Sequence, residues 1–146
     1  MIKRHMEKAL VAGARAYPVI TVTGPRQSGK TTLVRKVFPD YDYISLENPD
    51  DRAFALEDPR GFLNRFQAPV ILDEVQRVPE LFSYLQGRVD EDDRPGRYIL
   101  TGSQNFLLME KVSQSLAGRT ALFHLLPFSR AEILGRKPMS PEDIGS

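Results

Sequence analysis

Val19-Ile20-Thr21-Val22-Thr23-Gly24-Pro25-Arg26-Gln27-Ser28-Gly29-Lys30-Thr31-Thr32 is the stretch that decides how the rest of the chain is read. Val19 to Val22 is dominated by β-branched residues and bounded by Pro18 and Gly24, which predicts a short buried parallel strand. Gly24 to Thr31 then fits G-x-x-x-x-G-K-[ST] at each required position, and a helical stretch follows through Phe38. In such a loop the glycines let successive backbone N–H groups converge on phosphate oxygens at the positive end of the next helix. Lys30 supplies a mobile point charge for β- and γ-phosphates, and the Thr31 hydroxyl is a hard oxygen ligand for Mg²⁺. The cradling amides are expected mostly from the Gln27–Thr32 end, so Pro25, which lacks a donor, does no harm early in the loop. By chance, a match of this kind arises in a chain this long on the order of once in 200.

Working outward, the chemistry narrows. The chain has 146 residues, enough for one domain that buries roughly 70% of its unfolded surface. Twenty basic and nineteen acidic side chains leave a net charge of +1, so no overall field favours nucleic acid or anionic lipid. The composition, 41% hydrophobic and 27% charged, is that of a globular protein rather than a disordered one. The absence of cysteine excludes disulfides, thiolate metal sites, iron–sulfur clusters and a Cys nucleophile. Two widely separated histidines, His5 and His124, argue against a His-built zinc site. No segment approaches the roughly 18 apolar residues needed to cross a bilayer, and the basic start around Lys3 and Arg4 leads into no signal-like apolar region. The expected address is the cytosol.

Strands and helices alternate on both sides of the loop. Ile2, Met6 and Leu10 place a one-faced helix over about residues 2–17, ended by Pro18. Further strands are expected at Tyr41–Leu46, Val70–Leu72, Arg97–Thr101 and Ala121–Leu125. Asn48-Pro49 and Asp58-Pro59 each announce a helix by a capping residue followed by proline. Pro79 opens another, with the stripe Leu81, Phe82, Leu85 and Val89. A helix beginning near Phe106 runs to Gly118, and a short one is expected at Ser129–Leu134. From Gly135 the composition is that of a linker. Alternation of this kind implies a parallel sheet covered on both faces, with ligands at the C-terminal ends of its strands.

Three further groups are candidates for the site. Val70-Ile71-Leu72 delivers Asp73 and Glu74, of which Asp73 suits the magnesium shell and Glu74 the polarisation of an attacking water. Thr101-Gly102-Ser103-Gln104-Asn105 clusters polar groups at the end of the fourth strand. If that strand lies between the first and third, Ser103 or Gln104 contacts the γ-phosphate or the water; otherwise Ser103 or Asn105 simply caps the next helix. Arg119 is either an arginine finger or charge sensor, or an ordinary basic residue near a helix C-terminus. Gln76 and Arg77 either order the site or form a plain loop. Asp90-Glu91-Asp92-Asp93 reads as a solvated turn.

Gly-Pro-Arg-Gln-Ser-Gly-Lys-Thr-Thr, Leu-Asp-Glu-Val-Gln-Arg-Val-Pro-Glu-Leu, Leu-Thr-Gly-Ser and Leu-Ala-Gly-Arg-Thr…Leu-Pro-Phe-Ser occur here in that order. Together they resemble prokaryotic AAA-type P-loop ATPases, in which the ATPase domain is followed by a C-terminal domain of unknown function. The resemblance runs from the first helix to about Gly135. It implies a P-loop NTPase three-layer α/β sandwich with a parallel five-stranded sheet in the order 5-1-4-3-2. It further implies that Gly24, Gln27, Ser28, Gly29, Lys30, Thr31 and Thr32 hold ATP as the Walker A segment. Asp73 and Glu74 match the Walker B pair, with Thr31 and Asp73 holding Mg²⁺. Ser103 falls in the sensor region, and Arg119 in a Gly-Arg motif that could join copies of the chain in a homo-oligomer. Residues 1–135 are then expected to be the ATPase domain, and 136–146 a linker or the truncated start of the C-terminal domain, which family members continue into.

Magnesium-dependent ATP hydrolysis is therefore the leading expectation. A nucleotide-gated binding module with little turnover, because its completing part is missing, is the second, and a P-loop kinase the third. Asn-Lys-x-Asp, expected of guanine recognition, is absent, which favours adenine. The kinase reading wants an Arg-rich lid, and only scattered arginines follow the fourth strand.

Overall fold

A computed structural model describes residues 2–25, 28–66, 69–103 and 105–125. In chain order the elements are α1 (Ile2–Ala16), β1 (Val19–Thr23), α2 (Lys30–Val37), β2 (Asp42–Ser45), α3 (Pro49–Glu57) and α4 (Pro59–Asn64). They continue with β3 (Val70–Asp73), a single 3-10 turn (Val75–Arg77), α5 (Leu81–Glu91), β4 (Tyr98–Gly102), α6 (Phe106–Leu116) and β5 (Thr120–His124). The strands form one parallel sheet in the order β2-β3-β4-β1-β5, the expected order read from the opposite edge.

Local chemistry explains the element boundaries. Asn48 accepts N–H bonds from Asp50 and Asp51, and Asp58 accepts one from Gly61, with proline first in each helix. These caps satisfy donors that the first helical turn leaves without partners. Asn105 does the same for α6, accepting from the Leu108 N–H at 2.7 Å. α5 begins at Leu81 rather than at Pro79, because Val78 to Glu80 is taken up by the turn leaving the 3-10 segment. The expected helix at Ser129–Leu134 and the linker from Gly135 lie outside the described residues.

Every residue of β1, β3 and β4 is buried, so these central strands carry apolar side chains on both faces. One face packs Leu10 of α1 with Leu33 and Val34 of α2 against Ile20, Val22, Ile71 and Ile99. The other packs Phe62 and Leu63 of α4, Leu81, Phe82 and Leu85 of α5, and Leu108 and Val112 of α6 against Val19, Leu72 and Leu100. Each fully buried side chain of the size of Phe62 or Leu85 contributes roughly 1.5–3 kcal/mol by leaving water. The chain crosses from β1 to the far edge through α2 and returns strand by strand across the other face. This path sets the C-terminal ends of β1, β3 and β4 side by side: Thr23 pairs with Gly102, and Leu72 with Leu100 one step before Asp73.

Candidate functional site: a loop over the strand ends

Gly29 stands immediately before α2 with φ 81° and ψ 15°, a left-handed conformation that a side chain would make costly. Among the described residues no side chain caps the helix there, which leaves the α2 N-terminal amides available to an external acceptor. Pro25 contributes its carbonyl to the loop. That oxygen accepts from the Ser28 hydroxyl at 2.8 Å, the Ser28 N–H at 3.2 Å and the Lys30 ammonium at 3.3 Å. Gly24 anchors the other end through its N–H on the Gly102 carbonyl at 3.2 Å. Lys30 is buried, with Nζ 3.6 Å from Glu74 Oε2. Thr32 lies exposed on the first turn of α2, and Gln27 is outside the described residues.

Asp73 closes β3 directly beneath this helix start. Its carboxylate accepts from the Thr31 hydroxyl at 3.1 and 3.2 Å, from the Tyr43 hydroxyl at 2.5 Å and from the Thr101 hydroxyl. Buried carboxylates persist only with such partners. Thr31 and Asp73 thus bring two hard oxygens to the separation of neighbouring ligands around a small octahedral cation, roughly 2.9 Å. The donor set fits Mg²⁺, and the uncapped helix start with Lys30 fits a polyphosphate.

Glu74 adopts φ 59° and ψ 48°, the one positive-φ residue other than glycine among those described. Such a conformation costs on the order of 1–3 kcal/mol and turns the chain sharply off β3. Its N–H donates to Thr101 Oγ1 at 3.2 Å, and its carboxylate accepts from Gln76 Nε2 at 2.8 Å. Ser103 follows β4, which does lie between β1 and β3; its N–H donates to Gln76 Oε1 at 3.3 Å. Asn105 caps α6, so Ser103 is not needed for that task. Gln104 lies outside the described residues.

Arg119 lies at the other end of the sheet. It precedes β5, its carbonyl accepts from Val19 N–H at the start of β1, and its guanidinium pairs with Asp90 at 2.7 Å. In a parallel sheet this is the opposite end from the loop, roughly 16 Å away along five residues of strand. Arg119 therefore does not reach the loop before α2 in its own chain. Within the acidic run, Asp90, Glu91 and Asp93 are exposed, as expected of a solvated stretch, while Asp92 pairs with Arg94 and Arg97 at 2.7 and 2.6 Å. The hydrogen bond from Arg94 chiefly holds the Asp92 carboxyl well below the usual carboxylate range.

Tyr43 was not legible as a site residue. It reads as an ordinary alternating position of β2, yet its hydroxyl holds Asp73 while Arg35 sits 4.2 Å above its ring. Burial first, and then the Asp73 carboxylate, hold its phenol well above the ordinary range. Tyr43→Phe is expected to lower stability by roughly 1 kcal/mol, the worth of one such hydrogen bond. That margin over Tyr43→Phe is fully present below about pH 10, where an unfolded tyrosine begins to ionise, and shrinks as pH rises toward the raised folded value. Denaturant melts of both proteins between pH 7 and 11 check it; a margin unchanged across that range contradicts the assignment.

Comparison with known proteins places this geometry. Residues 16–134 match the model of a family described as an AAA domain. Uncharacterized proteins of Mycobacterium tuberculosis and Mycobacterium bovis are each 42% identical over 111 residues, which is 74% of this chain and 25% of theirs. The chain thus spans about a quarter of the length of these curated relatives. The P-loop NTPase domain of the Sigma-54 transport activator from E. coli is similar in fold, with TM-score 0.58 and 16% identity over 85% of this chain and 94% of that one. RuvB of Thermotoga maritima (TM-score 0.53, 19% identity, 91% of this chain and 49% of that one) shares it too. So does a Walker-type ATPase of Pyrococcus abyssi (0.52, 19%, 89% and 55%). Among the described residues, no helix is long and apolar enough to cross a membrane.

Proposed function

This chain belongs to the AAA-domain family, with the fold of P-loop NTPases and their nucleotide-binding character, and we propose that it is a magnesium-dependent ATPase acting in the cytosol. The observation that carries the reading is the convergence of Lys30, Thr31, Asp73 and Glu74 at the uncapped start of α2. Ser28 to Thr32, with Gly24 and Gln27, would wrap the phosphates in main-chain amides, and Lys30 would move from Glu74 onto the β- and γ-oxygens. Thr31 and Asp73 would hold Mg²⁺, whose chemistry is to neutralise charge on the phosphate oxygens. Glu74 would orient a water in line with the γ-phosphate and take its proton. Ser103, linked to Glu74 through Gln76, would contact that water or the γ-phosphate.

Arg119, displaced from its own site, would act on the loop of a neighbouring copy. Its ion pair with exposed Asp90 would then have to open on assembly. The domain is proposed to end near Gly135, with residues 136–146 leading toward a further C-terminal domain. Magnesium-dependent phosphate release measured against protein concentration tests the whole reading. Specific activity is expected to rise with concentration in wild type and to stay flat and low in Arg119→Ala. Phosphate release that is absent at every concentration, with ATP still bound, selects the nucleotide-gated binding module instead. Label transferred to a small acceptor selects a kinase.

A further inference from the structure

Gln76 lies two residues beyond Glu74, yet the left-handed turn at Glu74 and the 3-10 turn after it fold its side chain back over the strand ends. Its amide is used at both ends. Nε2 donates to Glu74 Oε1 at 2.8 Å, and Oε1 accepts from the Ser103 N–H at 3.3 Å. The amide cannot be reversed without placing a donor against the Ser103 N–H and an acceptor against the carboxylate. The space it occupies is kept open by Gly102: a Cβ there would stand 2.6 Å from Gln76 Oε1. The other oxygen of Glu74 faces the Lys30 ammonium. Glu74 is therefore held between the phosphate loop on one side and, through a single side chain, the turn after β4 on the other.

We propose that Gln76 is a positioning residue that couples the Glu74 carboxylate to the β4–α6 turn, so that a shift of Ser103 moves the water-orienting group. This rests on the ATPase reading above for its kinetic consequence, though not for the physical link itself. When Lys30 leaves for a phosphate, Gln76 is the partner that keeps Glu74 from swinging with it. Because small misplacements of a reacting group cost up to about 100-fold, Gln76→Leu is expected to lower kcat by about 10- to 100-fold while leaving KM and ATP affinity within about twofold. Gly102→Ala attacks the same link from the other side: the nearest atom in its way is the flexible tip of Gln76, followed by Leu108 Cδ2 at 3.1 Å, so side chains rather than backbone are displaced and the amide most of all. Its kcat loss is expected to be non-additive with that of Gln76→Leu.

The decisive test needs no turnover. In the 146-residue chain labelled with ¹⁵N, Glu74→Gln is expected to shift the Ser103 amide resonance in the wild-type background and to leave it unmoved in the Gln76→Leu background. An equal shift in both backgrounds, or none in either, overturns the coupling even if ATP is hydrolysed. Coupling present in the spectra together with no phosphate release from wild type overturns the ATPase reading and leaves the link standing. A kcat for Gln76→Leu equal to wild type in a hydrolysing protein overturns the positioning role.

Discussion

Replacing Lys30 by alanine is expected to weaken ATP binding about 100-fold, the ~2.7 kcal/mol typical of a lost charge-assisted contact in a sheltered site. The side chain is buried, only 2% exposed, with its ammonium drawn to the Pro25 carbonyl and Glu74. Those partners let the ammonium stay buried, but they do not account for its position beside the positive end of a helix dipole. A bound polyphosphate does explain it, since it answers the helix amides and the ammonium together. The folded protein keeps its core in this variant, so its thermal midpoint should change far less than its affinity. Titration with a fluorescent ATP analogue checks the expectation. Affinity equal to wild type would remove the loop from the nucleotide site.

Glu74→Gln should do the reverse, keeping ATP bound while slowing phosphate release about 10²–10⁴-fold, the usual contribution of a positioned base. The amide retains the shape of the carboxylate and can still meet Gln76, but it cannot take a proton. Affinity is expected to hold or to tighten, because Lys30 loses a competing anion 3.6 Å away. Single-turnover release of labelled phosphate, with binding measured separately, divides the two effects. An unchanged rate would mean that another group orients the water. Lost binding would mean that Glu74 is there for structure.

The parts of the molecule that could be read from the chain are those fixed by local rules. Val19 to Thr31 states its strand, loop and helix through β-branched residues, glycines and Lys30. Asn48-Pro49 and Asp58-Pro59 state their helix starts through side chains that cap the very next turn. The strand order came from a resemblance to other sequences, because hydrophobic runs such as Val70–Leu72 are interchangeable in pattern. What stayed hidden depends on contacts between distant segments. Tyr43 meets Asp73 across 30 positions, and Gln76 meets Ser103 across 27. Nothing local marks Tyr43 as polar machinery, while Gln76 stands out only by following the acidic pair, with its partner Ser103 left open. Glu74 in a left-handed conformation runs against its own backbone preference, which is why no pattern foretells it. Arg119 is different: parallel strands already place whatever precedes β5 opposite whatever follows β1, so its distance from the loop was available from polarity alone.

A crystal structure of the chain with Mg²⁺ and a non-hydrolysable ATP analogue tests the central claim most directly. The expected result is a triphosphate against the main-chain amides of residues 28–32, with Lys30 Nζ moved off Glu74 onto phosphate and the cation beside Thr31 and Asp73. A nucleotide bound elsewhere, or a loop still closed on the Pro25 carbonyl at saturating analogue, would contradict it.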